Sequence, residues 1–276
     1  RLGQEYSKKF SSTEVKPAVE IPISGTILPN SKELILPFKA VNLNAVDIRV
    51  IQIYEENVLM FLQDNNLSGD NSLRRCGRLV YKRCVRLDSD PSKNLHKWQD
   101  YSVDLSGLFR QEPGAIYRIR ISFKKEYSVY GKNDSFKSGT PSDKMVNIST
   151  EGITDKDNDE WDTPSPYFYE DFYNWEEYDW KDRDNPLKSS YYMEDDRFPA
   201  INLLTSNLGV IAKYAGGDRL WVSVSDIIEA TPVFNAELYA YSYQLKEIGY
   251  AKTGTDGMAE VQLTGKPFVI VAKRGG

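Results

Sequence analysis

The stretch Ala115-Ile116-Tyr117-Arg118-Ile119-Arg120-Ile121-Ser122-Phe123-Lys124 decides the fold class. Tyr117, Ile119, Ile121 and Phe123 fall on one face, and Arg118, Arg120, Ser122 and Lys124 on the other. That period of two predicts a half-buried antiparallel strand. Outward from it, similar runs cover Glu33–Ala40, Val46–Tyr54, Leu79–Leu87 and Tyr101–Leu105. In Val46–Tyr54 the phase slips at Val50-Ile51, which predicts a bulge or burial on both faces. Turn-forming residues separate the runs: Leu28-Pro29-Asn30, Ser68-Gly69-Asp70-Asn71, Ser89-Asp90-Pro91 and Glu112-Pro113-Gly114. Short strands with regular turns predict a β-sandwich over residues 16–130.

The pattern returns in residues 200–276. Strand candidates there are Asn202–Thr205, Leu208–Lys213, Arg219–Ser225, Ala236–Ser242, Leu245–Lys252, Ala259–Leu263 and Phe268–Lys273. Ala215-Gly216-Gly217-Asp218 reads as a hairpin turn, and Gly257 offers a positive φ between two strands. Seven strands in roughly 75 residues approach the size of an immunoglobulin-like sandwich. No long helical period occurs, although a short helix fits around Asp64 or over Leu105–Arg110. The expected architecture is therefore all-β. An N-terminal extension (1–15) precedes one sandwich (16–130), an irregular acidic aromatic segment (131–199) and a second sandwich (200–276).

The 276 residues carry a formal net charge of only −5. That total hides an asymmetry. Asp155 to Phe198 holds 15 acidic and 5 basic residues, and the remainder 25 and 30. The acidic stretch also carries Trp161, Trp175, Trp180 and nine Tyr or Phe residues, which are expensive to leave in water. It is expected to lie along a sandwich surface with carboxylates facing basic strands. Gly131–Thr154, rich in Ser, Lys, Gly, Asn and Asp, reads as a mobile loop.

Scarce residues narrow the chemistry. A single histidine, His96, lacks the partners of a triad or a multi-histidine metal site and reads as a surface or structural residue. Cys76 and Cys84 are too few for a four-cysteine zinc site. On one strand they lie beyond disulfide reach unless a tight turn intervenes. Asp155-Lys156-Asp157-Asn158-Asp159 has the alternating acids of a calcium loop. Glu160 and Pro166 stand where that loop needs Gly and Glu, so it reads as a solvated acidic loop. Glu176, Glu177, Asp179, Asp182 and Asp184 offer carboxylate pairs without a cleft to set their separation. The cluster Arg74, Arg75, Arg78, Lys82, Arg83 and Arg86 could suit nucleic acid, but the pI near 5.2 favours pairing with the acidic segment. There is no phosphate-cradling glycine loop and no dinucleotide fingerprint. The expectation is a non-catalytic module with no cofactor, no metal, no nucleic-acid partner and no membrane insertion. Its candidate interaction surface comprises Trp161, Trp175, Tyr178 and Trp180.

Longer pieces carry a resemblance. Residues 202–213 (NLLTSNLGVIAK) are followed by 220–226 (LWVSVSD), 253–259 (TGTDGMA) and 266–273 (KPFVIVAK). In this order they resemble a macroglobulin-type (MG2-type) domain of the bacterial alpha-2-macroglobulin family. Residues 174–186 (NWEEYDWKDRDNP) and 36–47 (LPFKAVNLNAVD) resemble the version in large Bacteroidetes members. The resemblance implies a piece from the N-terminal arm of a long envelope protein, periplasmic or anchored to the outer membrane. Such a protein is built from successive macroglobulin-like sandwiches and traps proteases. The implied partners are further such domains of the same chain and the trapped proteases. The family's C-x-E-Q thioester motif is absent: Cys76 is followed by Gly-Arg-Leu and Cys84 by Val-Arg-Leu. The implied role is to scaffold the trap and transmit its closure. The alternative is a carbohydrate- or surface-adhesion module using the exposed aromatics of the acidic segment.

Overall fold

A computed structural model describes residues 14–23, 25, 27–28, 35–106, 112–131, 152–164 and 177–275. The first unit contains β1 (Ala18–Glu20), β2 (Ile27–Leu28), β3 (Ile35–Val41), β4 (Ala45–Ile53), α1 (Val58–Asp64), α2 (Leu73–Cys76), β5 (Gly77–Arg86), β6 (Gln99–Asp104), β7 (Ile116–Ser122), α3 (Asp155–Asp162) and β8 (Ala200–Thr205). The second contains β9 (Leu208–Gly216), β10 (Arg219–Asp226), β11 (Thr231–Pro232), β12 (Glu237–Tyr241), β13 (Glu247–Lys252), β14 (Met258–Gln262) and β15 (Val269–Lys273). The fold is all-β and its sheets are antiparallel, except that β2 lies parallel to β8.

In the first unit, sheet β1-β3-β6 faces sheet β2-β8-β7-β4-β5. Alternate residues meet between them: Leu36 and Phe38 of β3, Val46, Ile48 and Val50 of β4, Tyr117, Ile119 and Ile121 of β7, and Leu203 of β8. Phe38 stacks on Tyr101 at 5.5 Å. The bulge expected at Val50-Ile51 is present, with the extra residue on the partner strand: Val50 pairs Tyr81 and Ile51 pairs Leu79, so Val80 is passed over.

Strand β7 departs from the half-buried expectation, because all seven of its residues are buried. It is the middle strand of five, and its second face is covered too. Over that face, α1 and α2 close a second apolar cluster in which Phe61, Leu73 and Cys76 sit on Ile51, Ile53, Leu79 and Ile116. Cys76 and Cys84 are buried, unpaired thiols in different clusters.

The larger departure concerns Ala200–Thr205. The expected strand Asn202–Thr205 forms within it, but β8 pairs with β7, matching Ile116 with Leu204 and Arg120 with Ala200. The chain thus crosses the acidic segment and returns to complete the first sheet before the second sandwich starts at β9. The last part of the acidic segment fills the first core. Tyr191, Tyr192 and Phe198 are buried there, and Phe123 meets Phe198 at 5.1 Å and Tyr192 at 5.9 Å, both edge-on. Burial pushes the Tyr192 hydroxyl up to about 12.

The second sandwich packs β9-β10-β14, with β11 beside the end of β10, against β13-β12-β15. Its core is Leu220, Val222, Val224, Val233, Leu238, Ala240, Ile248, Val261 and Leu263, with Ala236. The β9–β10 hairpin turns at Gly216 and Gly217, both at positive φ, where the sequence predicts a turn.

Candidate interaction surface

The outer face of the five-stranded sheet explains where the acidic segment goes. Cross-strand pairing places Lys82, Arg49 and Arg120 in one row over β5, β4 and β7. Directly opposed like charges destabilise a sheet. Here carboxylates come from outside it. Lys82 Nζ lies 2.7 Å from Asp157 of α3, and Arg120 Nη2 lies 2.7 Å from Asp195. In the next row, buried Arg118 reaches Asp70 at 2.9 Å and Asn202 of β8 at 3.2 Å.

Helix α3 is built for this position. Thr154 is its N-cap: its hydroxyl accepts from the Asp157 amide, while Asp157 Oδ2 accepts from the Thr154 amide at 2.9 Å and hydroxyl at 2.7 Å. This reciprocal box satisfies two amides that the first turn would leave without partners. Two acids in that turn also suit the helix dipole. Burial opposes the charge on Asp157. The Lys82 ammonium and the two Thr154 hydrogen bonds outweigh it and hold the carboxyl at about 2. At the other end of α3, Asp162 pairs with Arg78, which also donates to Asn158 at 3.1 Å, and Arg74 donates to the Thr163 carbonyl at 2.6 Å.

Residues 155–159, expected as an acidic loop, are therefore the first turns of a docked helix. The expected pairing of basic cluster with acidic segment holds for Arg78 and Lys82, whereas Arg86 binds its neighbour Asp88 at 2.6 Å. The row through Arg49 and Arg120 escaped the sequence reading, since cross-strand register is not written in either strand. The capping box was legible as Thr154 followed three residues later by Asp157.

The four candidate residues have separate surroundings. Trp161, on α3, is half-buried against the cluster under α1 and α2. The Tyr178 hydroxyl donates to Glu194. Trp180 is 64% exposed, with the Arg183 guanidinium 3.7 Å from its ring centroid. Trp175 lies outside the described residues, as does Glu176. The neighbouring carboxylates have structural partners: Asp179 caps a short 3-10 turn by accepting from the Lys181 amide, Asp182 pairs with Lys188, and Asp184 pairs with Arg197 at 3.0 Å. His96 Nδ1 sits 2.7 Å from Asn42 Oδ1 and 3.4 Å from Glu14. The Asn42 amide nitrogen donates to Val15 O, which leaves Oδ1 to accept from His96. These contacts tie the start of the described chain to the first sandwich.

The two sandwiches meet at a seam. Gln63 Nε2 donates to the Tyr243 carbonyl at 2.6 Å, and the Tyr243 hydroxyl returns a bond to the Gln63 carbonyl at 3.1 Å. Lys273 of β15 pairs with Glu55 at 2.8 Å, which raises the lysine pKa. Leu62 and Leu67 from the first unit, with Phe268 and Val269 from the second, line a shallow cleft beside these bonds.

No family model and no curated protein matches the sequence. Solved structures do. The chain is similar to native alpha-2-macroglobulin from Escherichia coli in a crystal structure spanning domains NIE-MG1, at 14% identity and a TM-score of 0.54, over 96% of each chain. It is similar to a second crystal structure of that protein, spanning MG0-NIE-MG1, at 16% identity and a TM-score of 0.53, covering 98% of this chain and 65% of the other. In a cryo-EM reconstruction of the protein's native conformation the identity is 16% and the TM-score 0.51. There the match covers 98% of this chain and 13% of the other, so the chain spans about an eighth of that protein's length. At such identities the likeness establishes a shared fold across both units and their order.

Proposed function

We propose that this chain is a non-catalytic scaffolding and interaction piece of a large, envelope-associated alpha-2-macroglobulin-like protein that traps proteases. The observation that carries the reading is the match over 96% of both chains to a two-domain piece of bacterial alpha-2-macroglobulin. Similarity over two units in one order is a stronger argument than one sandwich, a fold that serves many functions. On this reading the first unit corresponds to NIE and the second to MG1, whereas the sequence reading labels the second MG2-type. A Bacteroidetes-type parent and a periplasmic or outer-membrane-anchored location belong to the same proposal. The chain's own contribution is mechanical. Its carboxylates cap turns and neutralise a basic sheet face, and a polar seam fixes one sandwich on the other. The test incubates the full-length natural protein with active proteases of differing specificity and recovers it by pull-down. Retention of several unrelated proteases by the parent, and of none by the 276-residue chain alone, is expected. A parent that retains none contradicts the trapping role.

The adhesion alternative now rests mainly on Trp180, the broadly exposed member of the three described candidates. A glycan array with Trp161, Trp175 and Trp180 changed to Ala separates the readings. Sugar binding lost on mutation favours adhesion. Turnover abolished by Glu177→Gln would instead point to a hydrolase.

A further inference from the structure

Strand β9 differs from every other long strand of the second sandwich. Seven of its nine residues, from Val210 to Gly216, are exposed. Among the described residues it pairs with β10 alone, so one whole edge presents unpaired amides and carbonyls. Register shows which way its side chains face. Val210, Ala212 and Tyr214 lie opposite Val224, Val222 and Leu220, which are core residues. They therefore face the interior side of the sheet, yet Val210 is 40% and Tyr214 59% exposed. The opposite sheet ends at β15, whose Ile270 and Ala272 are only partly buried against the same core. On this side of the sandwich, then, the interior face of β9 carries apolar side chains that the core covers incompletely. On the outer side, Ile211 is 73% and Trp221 of β10 52% exposed.

Free edges of this length are normally blunted by charge, proline, a bulge or a cover. Here the far end of β9 is bulged, with Ala215 passed over between Gly216 and Tyr214, and over the regular stretch the guard is one residue, Lys213, opposite Trp221 and so on the outer face. It does nothing for the interior-facing row, and among the described residues it has no ion pair.

We propose that the β9 edge accepts an added strand from another polypeptide, one carrying apolar side chains at alternate positions and a carboxylate opposite Lys213. Main-chain bonds to the edge would supply affinity, and alternate side chains would cover the exposed Val210 and Tyr214. The lysine selects among candidate strands. A second copy of β9 is a poor occupant, because the strand contains no acid and leaves each Lys213 unmatched in any register. This inference is independent of protease trapping.

The experiment titrates the 276-residue chain into a fluorescent nonapeptide alternating valine and threonine, with aspartate replacing the central threonine, and follows anisotropy. Saturable binding is expected. Val210→Lys should weaken it at least about tenfold, and Lys213→Glu should weaken it while restoring binding of the peptide bearing lysine in place of aspartate. Both positions are exposed, and unchanged thermal unfolding of the variants verifies their folding. Absence of binding up to about 1 mM peptide overturns the proposal, as does binding indifferent to both substitutions. Sedimentation of the chain without peptide provides a further arm. A dimer dissolved by Val210→Lys would overturn the peptide reading and assign the edge to a second copy.

Discussion

Two residues carry much of the local logic. Asp157 ties the helix cap to the basic sheet row, and its carboxyl is held near 2. Its folded value lies below the ordinary carboxylate value of about 3.9, so ionised Asp157 stabilises the fold at any pH above about 4. That contribution is lost as pH falls through the folded value. The side chain is 16% exposed, and after allowance for solvent screening the contribution is about 1–2 kcal/mol. Lys82→Met should raise the Asp157 pKa, seen in a carboxyl NMR titration, and flatten the loss of stability between pH 4 and 2. An unmoved titration would show that the Thr154 box alone sets the charge. Gly257 is the second case. It has φ +73, and a Cβ there would meet the Val224 carbonyl at 2.6 Å and Pro232 Cβ at 2.9 Å. Gly257→Ala should therefore cost about 2 kcal/mol through strain and displacement, read as a lowered unfolding midpoint for the second sandwich.

Among elements, strands were the legible part. Their period of two reflects the two faces of a pleat, and most expected strands form. Even the slip at Val50-Ile51 marks a real bulge. What could not be read was partnership. Ala200–Thr205 is separated from β9 by only Ser206 and Asn207, so proximity assigns it to the second sandwich. Its hydrogen bonds go to β7, some 80 residues earlier. Alternation says which side chains share a face and nothing about which sheet receives them. For the same reason Arg118 and Arg120 read as solvent-facing, although they are 6% and 5% exposed. The acidic segment was legible as composition: aromatic and acidic. Its division into buried Tyr191, Tyr192 and Phe198, half-buried Trp161 and exposed Trp180 depends on tertiary contacts. Phe198→Ala tests this division. It removes a ring that is 7% exposed and packed on Phe123, and should destabilise the first sandwich by about 3 kcal/mol in calorimetry. Trp180→Ala should change stability by less than about 0.5 kcal/mol.

At the scale of the whole molecule, the small net charge conceals an internal match. An acidic aromatic segment is anchored on a sheet whose outer face carries a cationic row, and the chain then supplies that sheet's fifth strand. The seam through Gln63, Tyr243, Glu55 and Lys273 sets the second sandwich against the first. Interfaces of this polar kind commonly permit domain motion. Lys273→Ala together with Tyr243→Ala should therefore broaden the interdomain distribution in small-angle scattering while leaving each sandwich's unfolding unchanged. A scattering profile identical to the parent's would show that the seam does not set the arrangement. The central claim is that the acidic segment and β8 are integral to the first fold, and amide hydrogen exchange tests it most directly. The Thr205 amide donates to Ala115 at 3.0 Å, and the Ile121 amide to Pro199 at 3.0 Å. The account predicts that Leu203, Thr205 and Ile121 exchange together, with the protection of the first sandwich's global unfolding. Rapid exchange of residues 190–205 while β4 and β7 stay protected would contradict it, leaving the acidic segment a linker and not part of the sandwich.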